Sequence, residues 1–249
     1  MNLEHALQKL ASCTPGKLIE SSRFYNKSND SFNNITTFCS DSISGELKCT
    51  RDTGQENIII RGHKSLVNSS TIWFSGKNNI VFLGPHSELI GADIRVTGNN
   101  CILYFGAFST VGSMIVILSG EEGKIEVGDH CMLSNRIIID RTDHHPIYDL
   151  ATGLRINYDQ DVTIGDHVWI GRDVRISKGS KIGDDAIIGQ ASLVTGNIKG
   201  SSVYGGIPAR CIKEGITWSR WNFNSIVEME ESNYHQNNIK LINIIRERA

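Results

Sequence analysis

The sequence predicts an all-β solenoid, a parallel β-helix in which a short strand and a corner recur along the chain. Two observations carry this prediction. Gly62, Gly84, Gly106 and Gly128 follow one another at intervals of 22 residues, and the third residue after each is small: Ser65, Ser87, Ser109 and Cys131. Further along, the hexads "IGDHVW", "IGRDVR", "IGDDAI" and "IGQASL" begin at Ile164, Ile170, Ile182 and Ile188, so that Gly165 and Gly183, like Gly171 and Gly189, are 18 apart, or three sixes.

Each hexad reads as one strand and one corner. The aliphatic residue points inward, the polar pair points out, and glycine permits backbone angles that other residues resist. Three hexads make one triangular turn, and stacking the turns buries the aliphatic columns. The 22-residue turns keep this plan and add about four residues each at a corner, at "SGKNN", "TGNNC" and "SGEEG". An ordinary β-sandwich with glycine-rich turns explains neither the equal spacing nor the small residue fixed three positions on.

Gly128 and Gly165 are separated by 37 residues, one or two turns plus an excursion. This excursion, around 140–160, contains "DRTDHHPIYDLATGLRINYDQD". A polar segment leaving a regular scaffold is where function tends to sit, because the scaffold holds it while its own sequence stays free. Three units follow from the pattern: an N-terminal helix and polar arm over 1–55, the β-helix over 56–215, and a helical tail over 216–249. The arm opens with "LEHALQKLA", a short helix, and caps or precedes the solenoid. In the tail, Ile239, Leu241, Ile242 and Ile245 suggest an amphipathic helix that covers the open end of the solenoid or a neighbouring subunit.

Composition narrows the function classes. Among 249 residues, Lys and Arg number 25 against 27 Asp and Glu, for a formal net charge of -2. No basic surplus faces a nucleic-acid backbone, so no nucleic-acid partner is expected. The first residues hold an acidic side chain and no apolar run of signal-peptide length, and no stretch approaches the roughly 20 apolar residues of a membrane span. A cytoplasmic protein without an integral membrane segment is therefore expected. Six cysteines without C-x-x-C pairs support neither a zinc site nor a disulfide framework, and most read as buried or inert thiols.

Within "DRTDHHPIYD" the paired histidines admit three readings: metal ligands with Asp140 or Asp143, a polar turn, or a catalytic base. Adjacent side chains diverge, which disfavours the metal reading. Imidazole, with an unperturbed pKa of about 6.5, is suited to accept a proton near neutral pH.

"DHHPIYDLATGLRI", followed by "DVTIGDHVWIGRDVRISKGSKIGDDAIIGQASLVTGNIKGSSVYGGIPARCIKEGITW", resembles the hexapeptide-repeat acyltransferases, most of all the O-acetyltransferases of bacterial capsular polysaccharide and lipopolysaccharide. The likeness is specific over about 125–218, weaker over the 22-residue turns and absent from the first 55 residues. It implies a left-handed β-helix, a handedness that periodicity cannot show. It also implies homotrimers with active sites between neighbouring prisms, and acetyl-CoA as the acetyl donor with no metal. The acceptor implied is a sugar hydroxyl of a surface polysaccharide (capsule or O-antigen) or its precursor.

The D-x-H pattern of this branch falls on Asp143 and His145. His145 is thus the implied general base, Asp143 a residue that orients it, and Trp169 the border of the reaction cleft. For the cofactor, the resemblance implies Trp169, Gly171, Gly189, Ala191 and Ser192 along the pantetheine arm. Pro208, Arg210 and Lys213 approach the nucleotide end, where the two cations suit phosphates. "GQAS" stands where Gly-Ala-Gly-Ser is usual, so Gln190 alters the fit of the arm. Trp169 as corner filling, and Arg210 and Lys213 as solvated charges, remain open. So do two other readings of the whole: an acetyltransferase for a small sugar, amino sugar or antibiotic, and a non-catalytic glycan-binding solenoid.

Overall fold

The computed structural model describes residues 3–11, 25–26, 35–39 and 42–232. Three parallel faces build a prism. The first runs through Ile35–Cys39, Asn57–Arg61, Ile80–Leu83, Ile102–Phe105, Lys124–Val127, Val162–Ile164, Lys181–Ile182 and Asn197–Ile198, with Tyr25–Asn26 antiparallel at its edge. The second runs from Leu66–Asn68 through Glu88–Ile90, Thr110–Val111, Met132–Leu133, Trp169–Ile170 and Ile187–Ile188 to Ser202–Gly205, closed by the antiparallel Arg210–Glu214. The third stacks Leu47–Asp52, Ser70–Phe74, Ala92–Val96, Met114–Leu118, Ile137–Asp140, Arg175–Ile176 and Leu193–Val194. This is the expected β-helix of hexapeptide repeats, left-handed as the resemblance implied.

Parallel register aligns the inward residues in columns. Leu83, Phe105, Val127, Ile164, Ile182 and Ile198 form one column, and Val67, Leu89, Val111, Leu133, Ile170 and Ile188 another. All are buried. Each such side chain contributes roughly 1.5–3 kcal/mol by leaving water.

The Ile-Gly-Asp wording of the repeat has a physical cause at one corner. A Cβ on Gly128 would land on the carbonyl of Gly165 and the carboxylate of Asp166. Those carboxylates are there because each turn caps an amide of the turn before: Asp129 Oδ1 accepts the Ala107 N–H at 2.9 Å, Asp166 Oδ1 that of Asp129 at 2.8 Å, and Asp184 Oδ1 that of Asp166 at 2.8 Å. Glycine leaves the space, and aspartate fills it with an acceptor.

The ends depart from expectation in two respects. Parallel strands already occur upstream of residue 56, at Ile35–Cys39 and Leu47–Asp52, which pair with the next turn. These strands lack the glycine ladder, so the period did not mark them. Helix Leu3–Ala11, where the sequence placed it, lies on a flank of the prism. Its Ala6 and Leu10 bury the outward side chains Ile58, Ile60, Ile80, Phe82, Ile102 and Tyr104 of the first face. Strands there are apolar on both sides, as "IVFL" and "ILYF" read, because both sides are covered. At the C-terminal end helix Ile226–Glu231 is capped by Ser225. Ile239, Leu241, Ile242 and Ile245 lie outside the described residues. Among the described residues no helix is long and apolar enough to cross a membrane.

Candidate active site

The chain leaves the third face after Asp140 and rejoins the first at Val162. Arg141 anchors the departure. Its guanidinium lies against Gly120 and Gly123, where any Cβ would collide with it, and donates to Ser119 O at 2.6 Å and Asp161 Oδ1 at 2.9 Å. The extra residues of "SGEEG" thus make room for the base of the loop.

The histidine segment is held by Asn157, which is buried. Its Nδ2 donates to Asp143 Oδ2 at 2.9 Å and to His145 O at 2.8 Å, and its Oδ1 accepts the Ile147 N–H at 2.6 Å. Lys178, on the corner between third and first faces, pairs with Asp143 Oδ2 at 2.5 Å and donates to Tyr158 O at 3.1 Å. His145 is exposed on this clamped segment, its amide donating to Asp143 O at 2.7 Å. Among the described residues its ring makes no hydrogen bond. The Asp143 carboxylate is engaged by Lys178 and Asn157, which hold it below the usual carboxylate range. No hydrogen bond joins it to the imidazole it was expected to orient.

His144 takes the left-handed backbone conformation, φ 64°, with its amide donating to Thr142 Oγ1. Its charge acts on Asp140, whose pKa burial raises while His144 and Arg175 oppose the rise. The two histidines therefore serve different neighbourhoods. Among the described residues no group of three or more His, Cys, Asp or Glu is placed to hold a metal ion.

Trp169 stands on the second face, 39% exposed, and packs on Trp218 with centroids 5.9 Å apart. Trp218 is buried flat against His167 at 4.3 Å and donates from Nε1 to His167 O at 2.7 Å. His167 Nδ1 meets Asp185 Oδ1 at 2.7 Å, and Thr217 Oγ1 donates to the same oxygen. Arg220 then reaches Cys131 O at 2.6 Å and Thr110 Oγ1 at 2.9 Å. Residues 217–220 thus form a strap that runs back across several turns and supports Trp169 from behind.

The late-turn residues lie close together. Gly171 sits so close to the backbone of Gln190 that a Cβ would meet its nitrogen at 2.7 Å. Ala191, at φ 56°, donates to Arg172 O, and Ser192 Oγ donates to Gly189 O at 2.6 Å while accepting the Gly206 N–H. Pro208, Arg210 and Lys213 are exposed on the closing hairpin that follows. Within one chain the structure does not bring His145 to this set: the loop springs from the corner of third and first faces, whereas Trp169 lies on the second.

Residues 161–196 match the family model "Bacterial transferase hexapeptide (six repeats)". This segment carries hexapeptide repeats within a parallel β-helix. The chain is 36% identical over 118 residues to the polysialic acid O-acetyltransferase of Neisseria meningitidis, covering 47% of this chain and 54% of the relative. It is 29% identical over 129 residues to the polysialic acid O-acetyltransferase of Escherichia coli O1:K1, covering 51% and 42%. The chain thus spans about half the length of these relatives. Two crystal structures resemble this hexapeptide-repeat chain over nearly their whole length. One, the polySia-specific acetyltransferase NeuO, matches with a TM-score of 0.60 and 25% identity over 84% of this chain and 98% of that one. The other, the polysialic acid O-acetyltransferase OatWY, matches with a TM-score of 0.56 and 29% identity over 77% and 98%.

Asn157, Lys178, His167, Asp185 and Trp218 escaped the sequence reading. Trp218 had one signal, the "GITW" ending. His167 and Asp185 stand 18 apart, one turn of the repeat, at the same place in two hexads; Asn157 and Lys178 had no signal, because their contacts with Asp143 join positions with no fixed spacing.

Proposed function

We propose that this protein is an acetyl-CoA-dependent O-acetyltransferase that acetylates a sugar hydroxyl of a bacterial surface polysaccharide, capsule or O-antigen, or its precursor. The likeness to two polysialic acid O-acetyltransferases carries the reading, and the clamped, exposed His145 gives it a chemistry. As the acceptor oxygen attacks the thioester carbonyl, His145 takes the hydroxyl proton, the C–S bond breaks, and the proton goes on to the departing thiolate. A backbone amide at a corner would stabilise the oxyanion. Arg210 and Lys213, exposed beyond the last turn, suit the phosphates of the donor, and Gly189, Ala191 and Ser192 offer backbone groups to its arm.

The active unit in this reading is a homotrimer working in the cytoplasm, where acetyl-CoA is made. Two features support the assembly. His145 and Trp169 occupy different sides of one prism, so a second copy must supply one of them to a common cleft. The hairpin beyond His145 exposes Ile147, Tyr148, Leu150, Leu154 and Ile156, an apolar surface suited to a neighbouring prism.

His145→Ala should lower acetyl transfer by about 10²–10⁴-fold with the fold intact, and His144→Ala should retain most activity. The reverse result assigns the base to His144. A protein that neither binds nor hydrolyses acetyl-CoA sinks the enzyme reading. Mass spectrometry of surface polysaccharide with and without the gene, seeking a lost acetyl mass, identifies the acceptor.

A further inference from the structure

A cavity of about 660 Å³ opens on the first face beside both ends of the histidine loop. Its volume falls within the range of small-molecule sites, roughly 300–1,000 Å³. Such sites are ordinarily lined by apolar and aromatic side chains; this one is not. Lys124, Arg141 and Lys181 face Glu126, Asp159 and Asp161, with Thr163 and Gln160 between them.

The charged wall is built rather than accidental. Arg141, with its side chain only 9% exposed, is fixed by Ser119 O and Asp161 and lies 3.8 Å from Asp159. That arrangement neutralises the two aspartates without using all their acceptor capacity. Asp159 Oδ1 is buried and accepts no hydrogen bond, with Arg155 Nη2 3.8 Å away. The amino groups of Lys124 and Lys181, in the same lining, have no hydrogen-bond or ion-pair partner among the described residues. The lining therefore offers fixed acceptors and free donors in equal charge, which complements a ring carrying several hydroxyls.

We infer that this cavity is a saccharide subsite: it takes a sugar unit of the acceptor, other than the one acetylated, and reads it through its hydroxyls. The inference rests on the proposed polysaccharide acceptor and adds a place where the chain is held. Arg141 stands two residues before Asp143, and Asp159 two after Asn157. A sugar seated here therefore lies against both limbs of the loop that presents His145, and the polymer is registered next to the base.

The test uses the full-length protein, radiolabelled acetyl-CoA and de-O-acetylated surface polysaccharide purified from the source bacterium. Thr163→Trp fills the cavity from the middle of its floor, and Lys124→Gln with Lys181→Gln removes its free cations. Each should raise KM for the polysaccharide at least about tenfold, and leave unchanged the KM for acetyl-CoA, the acceptor-free hydrolysis rate and the oligomeric state by light scattering. Should the tryptophan variant fail to fold, the lysine pair carries the measurement. Unchanged polysaccharide KM in folded variants overturns the subsite and leaves the transferase reading standing. A shift in oligomeric state also overturns it, and assigns the cavity to an interface between copies. If the wild-type protein acetylates no polysaccharide at all, the transferase reading fails and the subsite with it.

Discussion

Asn157 is the residue on which the presentation of His145 depends. One amide side chain makes four hydrogen bonds, to Asp143, to His145 O, and from Ile147 N and Arg155 Nε, and no smaller side chain replaces them. Asn157→Ala should lower acetyl transfer on the order of a hundredfold through loss of loop placement, with the midpoint of global unfolding unchanged. Faster hydrogen exchange at the Ile147 amide would report the released clamp; protection equal to wild type would contradict it. The second half of the clamp has a pH signature. Lys178 and Asn157 depress Asp143, so its contribution is complete above the ordinary aspartate pKa of about 3.9 and is lost as the pH falls through the lowered value. A carboxyl titration of Asp143 by NMR should show that midpoint below the ordinary value, and Lys178→Met should move it upward. Neither residue was visible in the sequence, because a contact across 14 or 35 positions obeys no period. The choice of His145 as the proposed base rests only on a family likeness: two adjacent histidines are equivalent to any rule of spacing.

At the scale of the element, a corner and the strand it feeds are one unit, and the glycine ladder reports their close approach. Gly128→Ala should cost about 1–3 kcal/mol, as overpacking does, because its Cβ meets a backbone carbonyl and a carboxylate of the next turn. Gly153→Ala is the control. Nothing lies within 4 Å of its Cβ, so only its left-handed φ of 70° opposes the change, at roughly 1–2 kcal/mol. Chemical denaturation separates the two, and equal losses would show that the stacking contact is unimportant. The same ladder explains what the sequence disclosed of the fold. Where a corner lies directly under the next turn, as at Gly62, Gly84 and Gly106, a Cβ has no room and the period of 22 is written in the chain. The turn built from Ile35–Cys39 and Leu47–Asp52 omits that corner, and its strands "ITTFC" and "LKCTRD" are ordinary β sequence. Helix Leu3–Ala11 was legible as a helix but not as a flank cover. Its partner was written elsewhere, in the doubly apolar strands of the first face.

The whole molecule divides along its axis into two functional halves. The turns above Lys124 carry their own cover, the helix seated on the first face; the turns below carry the loop, Trp169, the strap and the exposed hairpin. The proposed assembly therefore belongs to the lower half. Replacing Leu150 and Leu154, both exposed, by aspartate should convert the proposed trimer to a monomer in light scattering and abolish transfer, while the circular dichroism of the prism stays as it was. A trimer that survives both changes would place the contact elsewhere.

The strap adds a different kind of connection. Strand pairing in the prism joins a turn to the one above or below it, whereas Arg220 and Trp218 tie turns several layers apart. In mechanical terms the strap is a tendon along a stack of plates. Without it, a turn could loosen at the expense of its two neighbours alone; with it, slippage between any two layers from Phe108 to Asp185 is felt at Trp169. The surface around Trp169 is thereby kept in step with turns that never touch it.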